Sequence, residues 1–240
     1  MSTYIMSDIH GDMEAFNKML ELIGFKSGQD FLIINGDVLD RGKYGIELLM
    51  IIKDMVEKGD ALMIKGDHEY YAQMYLEGML SESDWIRYFG AYTLESIKKL
   101  DKASQNLILE YIKSLPLFVE KVFPRLGKTV ITHNGLKNGD IINNKDDGID
   151  VAASLNKSVE SDEYGLLISA DIHYWPYETL FKLDRFIICG HIPTYQLGPE
   201  YTGKILRARK YMDIDAGAGH RNTGGKLACY RIEDDKEFYV

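Results

Sequence analysis

A largely parallel α/β sheet joined to a second sheet is the fold class that this sequence predicts, and two observations predict it. Three short apolar runs each end in an acidic turn, and each turn is followed by apolar residues at helical spacing. The C-terminal part then changes character, to short strands separated by glycine-rich loops.

The first run, Tyr4-Ile5-Met6, ends in Asp8-Ile9-His10-Gly11-Asp12, and Met13, Phe16, Met19, Leu20 and Ile23 behind it fall on one helical face. The second, Phe31-Leu32-Ile33-Ile34, ends in Asn35-Gly36-Asp37-Val38-Leu39-Asp40-Arg41-Gly42, with a helix expected from about Ile46 to Gly59. The third, Ala61-Leu62-Met63-Ile64, ends in Lys65-Gly66-Asp67-His68-Glu69 and leads into a helix reaching about Gly78. Asp8, Asp37 and Asp67 are spaced by 29 and 30 residues, the length of one strand plus a crossover helix. The repetition places three acidic turns side by side on one sheet edge.

Residues 83–113 carry a helical pattern, with Trp85, Tyr88, Leu94, Ile97, Leu100, Leu107, Leu109, Tyr111 and Ile112. A strand is expected over residues 117–122, between Pro116 and Pro124, and another at Thr129-Val130-Ile131-Thr132 before His133-Asn134-Gly135. Residues 138–163 are polar and read as a surface excursion with some helix. Phe186-Ile187-Ile188-Cys189 is a strand ending in Gly190-His191. Residues 211–215, 226–232 and 237–240 read as a terminal antiparallel sheet, completing two packed sheets with flanking helices.

The chain has 240 residues, 45% of them apolar, with no Pro-, Ser- or Gly-rich linker, so one domain over residues 1–240 is expected. A formal charge of −9 argues against general nucleic-acid or acidic-membrane binding. It is compatible with an anionic substrate, because a bound metal inverts the local field. Cys189 and Cys229 lie inside apolar runs and read as buried core residues rather than a disulfide or zinc pattern. With no basic leader and no run of about 18 apolar residues, the chain reads as soluble and cytoplasmic.

Five strand ends carry Asp8 with His10, Asp37 with Asp40 and Arg41, Asp67 with His68, His133, and His191. One such residue is ordinarily a helix cap or a turn former. Five together, each beside a glycine, point to a metal centre. Mixed carboxylate and imidazole donors suit manganese, iron or zinc better than calcium or magnesium. Two cations about 3.5–4 Å apart, sharing a bridging carboxylate, turn a water into hydroxide near neutral pH. The middle turn nominates Asp37 as that bridge. No nucleophile elbow or Cys–His arrangement is present, as expected when the nucleophile comes from water.

The motifs Asp8-x-His10-Gly11, Gly36-Asp37-x-x-Asp40-Arg41-Gly42 and Gly66-Asp67-His68-Glu69, with His133, Gly190-His191 and Ile214-Asp215-x-Gly217, resemble the phosphoprotein phosphatase family of calcineurin-like metallophosphoesterases. The similarity spans most of the chain. It is closest to compact bacterial and phage members, which include serine/threonine phosphatases and symmetrical dinucleoside-tetraphosphate hydrolases. The resemblance implies the four-layer metallophosphoesterase sandwich, two mixed sheets flanked by helices. It also implies two divalent or mixed-valence ions, manganese or iron first and zinc as an option. By it, Asp8, His10 and Asp37 hold one metal, and Asp37, Asp67, His133 and His191 the other. His68 protonates the leaving oxygen, Asp40 orients His68, and Arg41 grips the phosphate.

Two positions depart from the family pattern. Asp67 stands where the motif has Asn. Two divalent cations, one hydroxide and three carboxylates sum to zero charge, where Asn would leave one positive charge. A unit charge at about 4 Å is worth roughly 4 kcal/mol at an effective dielectric of about 20, as an upper figure. Asp67 is therefore expected to weaken monoester turnover, to select a more highly charged metal, or to favour a monoanionic diester or anhydride. The second departure is a missing phosphate-binding Arg, since residues 168–177 contain none. His173 is a candidate substitute there, and Arg207, Arg209, Lys210 and Arg221 are candidates from the other side. Trp175 and Tyr177 read as core residues, with base stacking as the alternative.

Three readings follow. The first is a serine/threonine phosphoprotein phosphatase acting on a phosphorylated protein. The second is a symmetrical bis(5′-nucleosyl)-tetraphosphate hydrolase, or another diester or anhydride hydrolase, acting on a nucleotide-type substrate. The third belongs to another class: a weakly active, metal-binding regulatory protein.

Overall fold

Strands β1 (Thr3–Met6), β2 (Phe31–Asn35) and β3 (Ala61–Ile64) pair in parallel, joined by helices α1 (Met13–Ile23) and α2 (Gly45–Glu57). The computed structural model describes residues 2–169 and 172–240. The sheet is completed by β9 (Ala228–Arg231), antiparallel to β1, and by β10 (Lys236–Tyr239), giving the order β10-β9-β1-β2-β3. A second five-stranded sheet has the order β4-β5-β6-β8-β7. Its parallel centre is β5 (Gly127–Thr132), β6 (Phe186–Cys189) and β8 (Tyr211–Asp213), with β4 (Phe118–Phe123) and β7 (Leu206–Arg207) antiparallel at the edges.

Side chains alternate along each strand, so both faces of both sheets are put to use. Ile5, Ile33 and Ile64 of the first sheet meet Ile131, Ile188 and Met212 of the second in one buried layer. Tyr4, Met6, Leu32, Ile34 and Met63 face the other way, packing with Phe16, Met19, Leu49 and Ile52 of α1 and α2. Val130, Ile187 and Tyr211 of the second sheet pack on Val151, Leu155 and Leu166. Burial on two sides is why these strands read as unbroken apolar runs. The result is helices, sheet, sheet and helices in four layers.

The expected helix at 83–113 is three: α4 (Glu82–Arg87), α5 (Ala91–Lys98) and α6 (Lys102–Ser114), following α3 (Asp67–Leu76). The breaks have local causes. Phe89 adopts φ 68° before Gly90, and the Asp101 carboxylate caps α6 through the Ser104 N–H. The polar stretch 138–163 contains α7 (Val151–Ser161), capped by Asp150, and the start of α8 (Glu163–Ile168). A final short helix, α9, spans Tyr177–Leu180. The expected terminal antiparallel sheet needs correction: residues 211–213 form β8, parallel to β6 in the second sheet, and only β9 and β10 pair antiparallel at the end. Both cysteines are buried and unbridged. Trp175 is a core residue, as read, whereas Tyr177 is 58% exposed. No helix among the described residues is long and apolar enough to cross a membrane.

Candidate metal centre

The carboxyl ends of β1, β2, β3, β5 and β6 all open toward the same place, where parallel sheets collect ligands. Six of the nine non-glycine residues with positive φ among the described residues are Asp8, His10, Asp37, Asp40, Arg41 and His191. A left-handed backbone costs L residues energy and persists only where surroundings impose it. Here they do: the amides of Asp8, His10 and Gly11 donate to the carbonyls of Gly36, Asp37 and Val38 at 3.1, 2.9 and 2.8 Å, lacing the first turn to the second. Gly36 and Gly66 are required where turns touch, since a Cβ on Gly66 would lie 2.5 Å from the Asp37 nitrogen.

Two donor groups result, and within each the ligand atoms lie within 4.8 Å of one another. One is Asp37, Asp67, His133 and His191; the other is His10, Asp37 and His68. Asp37 belongs to both. Its Oδ1 is 3.4 Å from His133 Nε2, and its Oδ2 is 3.7 Å from His10 Nε2 and 3.9 Å from His68 Nε2. Asp67 Oδ1 is 3.1 Å from His133 Nε2 and 3.0 Å from His191 Nδ1. His10 Nδ1 donates to the Leu39 carbonyl at 2.9 Å, and His133 Nδ1 to the Asn35 carbonyl at 3.0 Å. Each ring is thus oriented with Nε2 facing carboxylate oxygens, the usual posture of a metal-binding histidine. Nitrogen facing carboxylate oxygen is stable only with positive charge between them, and on His133 a proton can serve: burial would lower that imidazole, but Asp37 and Asp67 push it up.

The titration directions report the same crowding. Burial, then Asp67, pushes the Asp37 carboxyl up. Burial opposes ionisation of Asp67 too, yet His68, His191 and His133 together hold it well below the usual carboxylate range. Burial, then the neighbouring His68 and Arg41, keeps His10 neutral. Burial alone would lower His68, but Asp37, Asp67 and Asp40 outweigh it and push the imidazole up to about 10.

His68 Nδ1 meets Asp40 Oδ2 at 2.7 Å, and the same oxygen accepts the Trp85 indole N–H at 2.9 Å. The Asp40 amide donates to Thr93 Oγ1 at 3.0 Å. Arg41 lies with its guanidinium 4.6 Å from the Phe89 ring centre and its Nη1 2.9 Å from His220 Nε2. Arg41, Lys43 and Arg221 line a cleft of about 450 Å³ beside His10.

Asp8 is the expected ligand that lies outside both groups. Its carboxylate is held by the Ser7 hydroxyl and by the His191 amide, at 3.2 Å to each oxygen. His173 is not brought to the cleft; its side chain is fully buried, with Nε2 3.4 Å from Asp213 Oδ2, so it cannot replace the missing Arg against a substrate. Arg207 is spent on Asp235 and Glu237 at the β9–β10 turn, at the opposite end of β1 from Asp8. Arg209 stacks on Phe181 at 4.2 Å, before β8 begins. Arg221 does reach the cleft, but Asp12 engages it at 2.8 and 3.1 Å. Of the stretch 168–177 where the Arg is missing, Ala170 and Asp171 lie outside the described residues.

Three supporting residues were not singled out for these roles from the sequence. Glu69 accepts the amides of Asp37, Val38, Leu39 and Gly66 at 2.8–3.1 Å. Its place three residues after Gly66 is capping-box spacing, which is a usable signal. Trp85 is indistinguishable from an ordinary core residue in its helical pattern. His220 follows Gly217-x-Gly219, and Gly219 leaves room for the site: a Cβ there would lie 2.5 Å from the His10 ring and 2.6 Å from Arg41 Cδ.

Two stacked sheets that bring carboxylates and imidazoles together around a shared aspartate define the class of metallophosphoesterases. This chain belongs to that class by sequence too: the family model described as calcineurin-like phosphoesterase matches residues 1–220, and the chain is a member of that family. A relative from Coxiella burnetii (strain Dugway 5J108-111), named symmetrical bis(5′-nucleosyl)-tetraphosphatase, is 28% identical over 135 residues, 56% of this chain and 42% of its own length. A relative of the same name from Nitrosospira multiformis is 28% identical over 138 residues, 57% of this chain and 44% of its own. The chain thus spans less than half the length of these curated relatives. Among solved structures, a Saccharomyces cerevisiae protein serine/threonine phosphatase superposes with a TM-score of 0.64 at 14% identity, covering 97% of this chain and 73% of that one. A cold-active protein-tyrosine phosphatase from a psychrophilic Shewanella gives 0.58 at 16% identity, covering 100% and 80%. At such identities these two establish the fold.

Proposed function

We propose that residues 1–240 form one catalytic unit that hydrolyses phosphoric esters or anhydrides with two bound metal ions. The observation that carries this reading is Asp37, whose two oxygens face two separate sets of imidazoles. Asp8, which lies outside the two donor groups, would join His10 and Asp37 around one ion, and Asp37, Asp67, His133 and His191 would hold the other. The donor set suits manganese or iron, with zinc as a substitute. When bound, such ions supply Lewis acidity and a nucleophile from water at neutral pH.

The chain's own residues do the rest. Arg41, braced by Phe89 and His220, presents its guanidinium to phosphate oxygens. His68 carries the proton that the leaving oxygen needs, and Asp40, fixed by Trp85, keeps the ring oriented and charged. Lys43 gives the cleft further positive charge for a second phosphate, whereas Arg221 is engaged by Asp12.

The names of the relatives and the charge of Asp67 favour a symmetrical dinucleoside tetraphosphate as substrate, because an anhydride phosphate carries less charge than a terminal monoester. A phosphoserine or phosphothreonine protein is the second reading. The location that goes with either is the cytoplasm, where nucleotides and reduced thiols coexist. The test is a side-by-side assay, with manganese, of a dinucleoside tetraphosphate, a phosphopeptide and bis-nitrophenyl phosphate. The tetraphosphate is expected to turn over fastest. Faster phosphopeptide cleavage would reverse the ranking. No turnover of any substrate, with two ions bound, would favour the weakly active regulatory protein.

A further inference from the structure

Directly behind His191 lies a second set of potential ligands that shares no residue with the centre above. Cys189 ends β6, Asp213 ends β8 beside it in register, and His173 comes from the 3-10 turn Ile172–Tyr174. One ligand atom from each lies within 4.8 Å of the others, and His173 Nε2 is 3.4 Å from Asp213 Oδ2. On a tetrahedral zinc, two N, O or S ligands stand about 3.3–3.6 Å apart. The three side chains need only a small inward movement to reach that.

An independent observation points to a ligand. The side chains of His173 and Asp213 are fully buried. Yet His173 Nδ1, His173 Nε2 and Asp213 Oδ2 have no hydrogen-bond partner among the described residues. Orphaned buried polar atoms are costly and rare, and two of these, His173 Nε2 and Asp213 Oδ2, face each other across 3.4 Å, a gap that calls for a partner. Asp213 Oδ1 already accepts the Asp215 amide at 2.8 Å, which aims Oδ2 at the histidine. Cys189 Sγ has only a weak contact, 3.5 Å from the Met212 carbonyl.

We propose that His173, Cys189 and Asp213 form a third metal site, for one divalent transition ion of the zinc class, which pins the 172–174 turn to β6 and β8. Thiolate plus carboxylate supply two negative charges, so the complex with one divalent ion is neutral, the form that suits a buried position. A thiolate in the set selects zinc, cobalt or iron over magnesium, calcium and manganese. Loading releases the thiol proton to solvent, and the three ligands leave one tetrahedral position for water.

Cobalt(II) separates this site from the dinuclear centre, whose donors include no sulfur. Thiolate bound to cobalt gives an intense near-ultraviolet charge-transfer band, whereas nitrogen and oxygen donors give only weak visible bands. The chelator-stripped full chain is titrated with cobalt and followed at both wavelengths. The expected result is a charge-transfer band that saturates with about one equivalent per chain, disappears in Cys189→Ala and persists in Cys229→Ala. Zinc content is expected to fall by about one equivalent in Asp213→Asn, with the dinuclear ions retained. No charge-transfer band in the unmodified protein, once the visible bands have saturated, would overturn the proposal. That arm needs no variant to fold. A band that survives Cys189→Ala would overturn it equally.

Discussion

The two sheets feed the metal centre in different ways. The β1–β2–β3 half delivers Asp8, His10, Asp37, Asp40, Arg41, Asp67 and His68 from consecutive turns, each two to six residues beyond its strand. The β5–β6 half delivers only His133 and His191, and a long excursion containing α7 and α8 separates them. The first half is a repeated local device, with left-handed turns laced amide to carbonyl. The second supplies two single imidazoles whose positions depend on the sheets stacking. The regular half should therefore set whether ions bind and react, and the other half how many stay.

Asp37→Asn should break the centre as a whole. Metal content is expected to fall from about two ions to near none, and activity by more than the 10–100-fold typical of changes outside the ligand shell. His191→Ala should lose one ion and leave the His10 side loaded, as elemental analysis would show; loss of both would erase the contrast between halves. His68→Asn should lower kcat by about 10²–10⁴-fold while both ions remain. Because His68 lies geometrically closer to His10 and Asp37 than Asp8 does, the matching Asp8→Asn variant sharpens this. If His68→Asn sheds an ion and Asp8→Asn does not, the two residues exchange roles. Asp67→Asn should raise turnover of a model monoester about tenfold, well under the Coulombic upper figure because solvent and structure relax. An unchanged or slower rate would contradict the charge argument.

Trp85→Phe removes the indole N–H from Asp40 and should cost about 1.5–3 kcal/mol of stability by chemical denaturation, the range for a hydrogen bond to a charged group. The smallest effect concerns pH. In the metal-free chain the imidazolium of His68 is held up to about 10, against an ordinary value of 6.5. Its stabilising contribution is complete below about 6.5 and lost as pH rises toward about 10. The melting temperature of the stripped protein should fall across that window more steeply than that of His68→Asn.

The strand-and-turn repeat was plain in the sequence because each unit is local: an apolar run, a carboxylate at its end and a helical face behind. The placing of His10, Asp37 and Asp67 on one edge followed from the same repeat, whereas Asp8 lies outside both donor groups and His133 and His191 come from the other sheet. What stayed hidden depended on distant pairing. Arg207 is one of several candidate phosphate-side cations by sequence, yet the β7–β8 hairpin turns it toward Asp235 and Glu237 of the other sheet. His173 is a candidate substitute for the missing Arg by sequence alone, and only the adjacency of β6 and β8 reveals that it is buried. Trp85 carries no mark of its polar duty, because its indole nitrogen meets Asp40 across 45 residues of chain.

Glu69 has a consequence of its own. Three successive main-chain amides curl around its carboxylate, with the Gly66 amide making a fourth. Concave nests of that kind are what proteins elsewhere use to seize phosphate. In this molecule the nest arrives already plugged by an internal carboxyl group, so the amides of Asp37, Val38 and Leu39 have no free donor to offer an incoming phosphate.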